Sequence, residues 1–421
     1  MNGGIEYKVW IGGSIADDDF YSMIETITVE QGIDLATEAR VELEMCADDQ
    51  GKWSGIAESY SKTWTRLRLE VRNQTATWVP LIDGPIVTWH ASMSGEPGQS
   101  TVTIVAHDDT AYLNICAKRE VFEDDTDEDV IDEMFDRVDS ITDVDVDTLP
   151  DQPDDRPLKH IKLGTEMDML RSIADPYDLH VYVVPDEINT SIGYVKRLPT
   201  KKTQGLPALV LTGADRNVET FDARNEVSKA RRYQGQQIDI DQVDPGKAVV
   251  SRYTQDDKGP APLDSKPNPY DDTSSVTDSK PNPYTPQASG AGKPDVVGQP
   301  VALLDKNPTI DDLKKLGTEI LSPFVSAFRD VKALVERWQQ KSSYTITATG
   351  SVRYGCYNGV MRAYDVIGVG GATATLSTNF IVREVTHTLS RSEYRQDFTL
   401  MTNATRTVQT SAASAVPPSV F

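Results

Sequence analysis

The clearest periodic signal lies near the two ends of the chain. From Leu81 to His90, and again from Ser100 to Leu113, β-branched and aromatic residues run in strand-like stretches around a Gly/Ser turn. Asn379 to Leu389 and Tyr394 to Met401 repeat the arrangement around a second polar turn. Period-two alternation sends successive side chains to opposite faces of a strand, so each end predicts an antiparallel hairpin. The duplication predicts two modules of one kind, small antiparallel barrels.

Between them the period changes from two to about 3.6. Thr126 to Asp129 can cap a helix whose apolar positions Val130, Ile131, Met134, Phe135 and Val138 share a face. A second helix is predicted from Thr165, with Met167, Leu170, Ile173, Ala174 and Tyr177 on one side, ending by Leu179. Strands follow at His180 to Val184 and Ile192 to Val195. This order predicts an α+β lobe inserted between barrel strands. Both apolar stripes read as core.

From Asp256 to Pro300 the composition shifts to Pro, Asp, Ser, Lys and Gly, and one heptapeptide occurs twice, at 264–270 and 278–284. Such a stretch buries too little apolar surface to offset its ordering entropy, which predicts a linker or long surface loop. Docking of its Pro-Asn-Pro-Tyr units on a neighbouring subunit is the functional alternative. Beyond it Ile310, Leu313, Ile320, Phe324, Phe328, Val331, Leu334, Val335 and Trp338 recur at helical spacing, predicting a helical segment that breaks or kinks at Pro323.

The 421-residue length suggests about three folding units at about 150 residues each. A 38% hydrophobic and 25% charged composition is that of a soluble globular protein. No apolar run reaches the about 18 residues of a membrane span, and the N-terminus lacks signal-peptide character. The expectation is synthesis in the cytoplasm, with no membrane insertion. A net charge of -23 argues against direct nucleic-acid binding, which needs clustered Lys and Arg.

Sixteen of these acids fall between Phe122 and Asp155, against the single Arg137 up to that point. Asp143, Asp145, Asp147, Asp151 and Asp154 take positions of an EF-hand-like calcium loop, but Thr148 stands where the turn needs Gly, and Pro150 and Pro153 interrupt it. A solvated acidic face is the preferred reading. Cys46, Cys116 and Cys356 are too far apart for a disulfide framework or a metal pair and read as buried or semi-buried thiols. His90, His107, His160, His180 and His387 lie in or beside predicted strands without ligand spacing and read as structural. Gly368 to Ala372 is half a dinucleotide fingerprint and reads as a β-turn. Trp53, Trp64 and Trp78 suit barrel core, with an exposed carbohydrate-binding role as the alternative. No nucleophile elbow, zinc-protease motif, phosphate loop or deaminase signature is present. No catalytic, cofactor-binding or metal residue is assigned, and no enzyme activity or cofactor is expected.

One resemblance emerges from the order of these motifs. Gly84 and Ile86, then a strand ending at Asp108 and Leu113, resemble the opening pattern of the late control gene D family. Arg119 and Phe122 before the helix capped at Thr126, and Thr165, Leu170, Ile173 and Ala174 in the second helix, are similar to its middle. The returning strand from Phe221 to Gly235, the run Tyr364 to Gly370, the Val385, His387, Leu389 spacing and the pair Tyr394 and Phe398 resemble its closing module. The resemblance covers most of 5–245 and 340–406.

That family comprises the central hub proteins of contractile phage tails and related injection machines, including the hub part of VgrG. The resemblance implies a homotrimer in which two barrels per chain make a pseudo-sixfold ring, adapting a hexameric tail tube to a trimeric spike. The implied partners are an inner tail tube protein, a separate spike protein and other baseplate proteins; VgrG-type members continue into a spike, whereas this sequence stops at Phe421. The chain would be incorporated into a phage tail baseplate or injection particle.

The expected fold is therefore α+β and β-rich, with two similar antiparallel β-barrel domains, an inserted α+β lobe and a Pro-rich excursion. The boundaries are 1–115 for the first barrel, 116–215 for the lobe and 216–255 for strands returning to the barrel. They continue as 256–300 for the linker, 301–341 for the helical segment, 342–406 for the second barrel and 407–421 for the tail. The alternatives are a peripheral receptor- or carbohydrate-binding β-protein of the particle, or a cell-wall hydrolase lacking any visible acid/base pair.

Overall fold

The computed structural model describes residues 6–46, 53, 62–73, 77–96, 98–123, 125–149, 159–226, 232–239, 249–254, 280–281, 318–320, 338, 341–353, 355–373, 376–391 and 393–405. The described residues are β-rich, with few helices and large antiparallel sheets. Two compact units divide the chain: 1–198 with 351–364 and 382–399, and 199–350 with 365–381 and 400–421.

In the first unit β1 (Glu6–Ile11) and β2 (Ser14–Ile15) form a hairpin, and α1 (Asp18–Met23) leads into β3 (Ile24–Gly32) and β4 (Glu38–Glu44). Next come β5 (Arg66–Arg72), β6 (Val79–Ser92) and β7 (Thr101–His107), closed by the short α2 (Thr110–Leu113). The hairpin expected from 81 to 113 is present, since β6 pairs antiparallel with β7 from Ile86 to Ser92. The N-terminal half of β6 pairs instead with β5, so this one long strand joins two stretches of sheet. Alternating Ile27, Val29, Val41, Leu43, Leu69, Val71, Ile82 and Ile104 fill the core on one face. Burying each such side chain contributes about 1.5–3 kcal/mol relative to exposure.

Leu389 and Tyr394 belong to that same core. They come from β21 (Asn379–Ser390) and β22 (Tyr394–Thr402), and β21 pairs antiparallel with β3 from Glu384 to Ser390. The two chain ends, read from sequence as separate modules, thus share a sheet within the first unit. Sequence alternation defines a strand's buried face but not its partner.

The middle of this unit has its own core. It contains β8 (Lys118–Glu123), α3 (Asp127–Asp136), β9 (Ile141–Val146), β10 (Lys159–Gly164), α4 (Glu166–Ala174), β11 (His180–Pro185) and β12 (Ser191–Lys196). Both helices begin with reciprocal capping boxes, Thr126 with Asp129 and Thr165 with Asp168, at the N-termini expected from sequence. Val130, Ile131, Met134, Phe135, Leu170 and Ile173 line the buried faces. Gly193 on β12 lies against the Phe135 ring, where a Cβ would sit 2.7 Å from Cε1.

The second unit contains β13 (Leu209–Val210), β14 (Val218–Asn225), β15 (Arg232–Asp239), β16 (Val249–Thr254), β17 (Lys280–Pro281), β18 (Thr318–Ile320), β19 (Ile346–Val352) up to Gly350, β20 (Val366–Gly370) and β23 (Ala404–Thr405), with the remaining ends of β21 and β22. β20 runs parallel to β13 and antiparallel to Asn379–Ile381, and all five of its residues are buried. Gly368 to Gly370 are therefore strand and not the expected β-turn; the chain leaves the sheet only at Gly371, whose φ of +69° suits glycine.

β18 also corrects an expectation, because these three residues of the anticipated helical segment pair in parallel with β15. β-branched Thr318 and Ile320 favour extended backbone. Residues 338 and 341–343 are helical. The rest of that segment, the Pro-rich stretch apart from 280–281, and the tail from 406 lie outside the described residues.

Candidate functional site

The densest polar constellation in the first unit is built on the opening motif. β5 and β6 pair so that Arg68 stands opposite Asp83, while Arg66 stands opposite Pro85. Alternation sends Leu67 and Leu69 into the core and both arginines to the other face. Asp83, fully buried, accepts hydrogen bonds from Arg66 Nη2 at 2.8 Å, Arg66 Nε at 3.0 Å and Arg68 Nη1 at 3.0 Å. Arg66 also grips Asp109 through both terminal nitrogens, at 2.7 and 3.1 Å. The surrounding carboxylates raise the Arg66 pKa against the opposing effect of burial.

The turn between β11 and β12 closes over this cluster. Arg68 donates to the carbonyls of Glu187 at 2.7 Å and Asp186 at 2.8 Å. Asn189, left-handed at φ +68°, donates its backbone N–H to Asp83 Oδ2 at 2.9 Å, and Ser191 donates its hydroxyl to Asp109 Oδ2 at 2.6 Å. Asp108 next door is also buried; its carboxylate receives the backbone N–H groups of Thr37 at 2.6 Å and Thr110 at 3.1 Å, together with the Thr110 hydroxyl. Desolvation raises its pKa despite these bonds. Each guanidinium and carboxylate here is engaged with a partner. The chemistry available is that of a clamp, fixing a sheet, a helix start and a turn to one another.

A second constellation was not visible in sequence. Tyr364 stacks on Tyr182 at 3.9 Å between ring centroids, and Tyr182 stacks on Tyr194 at 5.2 Å. The Tyr364 hydroxyl accepts the Asp34 N–H at 3.1 Å, and Asp34 Oδ1 lies 2.7 Å from His180 Nδ1. Burial pushes the pKa of both Tyr364 and Tyr182 well up. Asn73 and Gln396 likewise hold backbone carbonyls of the 357–359 stretch, Asn73 at Tyr357 (2.7 Å) and Gln396 at Gly359 (3.0 Å). The sequence signal for these clips is only an isolated polar or aromatic residue beside a strand.

Lys162 is the third case. Its ammonium, fully buried, contacts Glu166 at 2.6 Å and Glu120 at 3.3 Å, and Arg137 bridges Glu120, Glu133 and Glu166. The isolated cation of the acidic segment thus bridges three carboxylates, two of which Lys162 also contacts.

The residues of the calcium alternative are placed otherwise. Asp143 and Asp145 lie in extended β9, which pairs with β12, and Asp145 bonds Lys196, while Asp147 accepts the Arg197 N–H at 2.9 Å. An extended strand does not wrap an ion. Asp151 and Asp154 lie outside the described residues.

Cys46, Cys116 and Cys356 are exposed and form no disulfide among the described residues, contrary to the buried or semi-buried reading. Trp64, expected in the core, is exposed at φ +69° and stacks on Tyr112 at 5.4 Å; Trp78 lies under Lys8 and Arg72, and Trp53 packs on the core edge. His90 is exposed, His107 lies 3.3 Å from Glu38, His160 lies 3.3 Å from Asp127, and His387 is fully buried with Nδ1 2.7 Å from the Tyr394 hydroxyl. No group of three His, Cys, Asp or Glu positioned for a metal occurs among the described residues, and no described helix is long and apolar enough to cross a membrane.

No family model matches the sequence, and no curated protein matches it. Solved structures do. The 43 kDa tail protein of prophage MuSo2 from Shewanella oneidensis superposes with a TM-score of 0.59 at 11% identity, covering 94% of this chain and 98% of that one. The tail protein from Neisseria meningitidis MC58 gives 0.54 at 13% identity, over 94% and 96%. The half-lidded Francisella PdpA-VgrG complex gives 0.53 at 9% identity, with 95% of this chain covering 58% of that one. At these identities the likeness is one of fold.

Proposed function

We propose that this chain is a structural component of a contractile phage tail or injection machine, and specifically its baseplate hub. Three copies form a pseudo-sixfold ring that adapts a hexameric tail tube to a trimeric spike. The observation that carries this reading is the end-to-end fold likeness to two tail proteins, with 98% and 96% of their lengths covered. In this reading the two compact units supply two tube-like domains per chain, and the Arg66, Arg68, Asp83 and Asp109 clamp serves rigidity and not catalysis. The inner tube protein, a separate spike protein and other baseplate proteins are the partners.

The test is native mass at several concentrations, alone and mixed with tube and spike proteins. A species near three times 46.5 kDa supports the hub. A monomer that joins neither partner refutes it.

Exposed Trp64, stacked on Tyr112, favours a second reading as a peripheral carbohydrate-binding protein. Binding to a glycan array that is lost in Trp64→Ala would establish it.

A further inference from the structure

The two-stranded ladder of β8 and β10 presents one face to the core and the other to water. Phe122 and Lys162 point inward and are buried. The outward positions pair Val121 with Ile161 and Arg119 with Leu163. Solvated strand faces ordinarily carry polar residues, yet Val121 is 50% exposed, Ile161 56% and Leu163 72%. Ile115, 56% exposed, belongs to the same region, since neighbouring Asn114 meets Thr165 just past the end of β10. Clustered apolar exposure of this kind marks an interaction surface. Its Leu163 end is cationic, with exposed Lys118 and Arg119, while the exposed Glu123 stands at the opposite end of the ladder.

The same unit carries a surface of opposite sign. Ile15, 51% exposed, lies on β2, the edge strand of the sheet, directly before the acidic run Asp17 to Asp19. The β1–β2 turn adjoins the β11–β12 turn, where a Cβ on Gly13 would lie 2.8 Å from Asn189 Nδ2. That second turn adds Ile188, 40% exposed, beside the exposed Asp186 and Glu187. An apolar patch with a basic end and an apolar patch with an acidic rim are therefore displayed by one chain.

We infer that the β8/β10 face of one copy seats the β2 edge and β11–β12 turn of a second copy. The contact is heterologous, because different surfaces meet. Such a contact, repeated with a closing rotation, builds a ring without leaving either patch exposed. Charge complementarity selects this occupant, since on a chain of net charge -23 most other copy-to-copy approaches are repulsive. The inference rests on the ring reading above and names the surfaces that make the ring.

A reciprocal charge swap tests it, read by native mass against concentration. Lys118→Glu with Arg119→Glu spoils one patch, and Asp18→Lys with Asp19→Lys spoils the other; all four residues are exposed. Either pair is expected to raise the half-assembly concentration by about tenfold, and combining them restores assembly because the rims are again complementary. Leu163→Asp is expected to abolish assembly while leaving the thermal midpoint of the monomer unchanged. A wild-type oligomer indifferent to these changes overturns the contact but not the hub. So does a loss that the combined variant fails to rescue, which would assign the patches to other proteins. A wild-type chain that stays monomeric with tube and spike overturns both.

Discussion

Gly84 passes so close to His107 that a Cβ at Gly84 would lie 2.0 Å from the His107 carbonyl oxygen and 2.8 Å from Asp108 Cα. Both contacts are backbone, so no side-chain rotation relieves them. Gly84→Ala is expected to cost about 3 kcal/mol, the range of core overpacking, and to lower the urea midpoint accordingly. An unchanged midpoint would mean that β6 and β7 can separate here freely.

Breaking the buried ionic clamp is expected to be costlier than its exposed analogues. Asp83→Asn removes the charge shared by Arg66 and Arg68 while keeping the shape, leaving Arg66 with Asp109 alone and Arg68 with Glu70 alone. Because each arginine keeps one carboxylate, the loss is expected below the about 3–5 kcal/mol of an uncompensated buried charge but above the about 0–1 of a surface pair such as Arg40 with Glu38. Comparing Asp83→Asn with Glu38→Gln in equilibrium unfolding checks the contrast. Faster amide exchange at Asn189 in the first variant would show that the β11–β12 turn has been released.

His387 links stability to pH. Burial pushes its pKa down to about 3, whereas the unfolded chain takes up the proton near 6.5. Below 6.5 the unfolded state binds a proton that the fold refuses, so this contribution is complete above 6.5 and is lost as pH falls toward 3. The slope reaches about 1.4 kcal/mol per pH unit. His387→Gln should flatten the stability curve between about pH 6.5 and 5, above the range where most carboxylates titrate. Equal slopes in variant and wild type would show that His387 is protonated in the fold.

Thr165→Ala is expected to cost about 1 kcal/mol by removing an N-cap. Thr165 Oγ1 accepts the Asp168 N–H at 3.1 Å, and Asp168 in return accepts the Thr165 N–H at 3.0 Å, which holds the Asp168 carboxyl below its usual range. Thermal unfolding of the variant, with Thr165→Ser as a rescue, measures the cap alone.

Local signals were legible in the sequence because they act over a few residues. Thr126 and Thr165 mark helix starts whatever lies around them, and the alternation of Val41, Leu43, Val102 and Ile104 fixes which face of each strand is buried. The motif positions Gly84 and Asp108 were also readable as pattern. Their reason was not, since Asp108 acts on Thr37, 71 residues away, and Gly84 is constrained by backbone belonging to β7.

What the sequence by itself determined is the β-rich character, the capped helices with their apolar faces and the acidic balance. What tertiary structure decided is partnership: that β21 pairs with β3, that Arg66 and Arg68 meet Asp83 and Asp109 under the β11–β12 turn, that Tyr364 stacks on Tyr182, and that Val121 and Ile161 face water. Periodicity encodes the orientation of a side chain relative to its own backbone. It carries no term for which distant strand supplies the other half of a ladder or the counter-charge, because those energies exist only once the chain has closed the intervening loops.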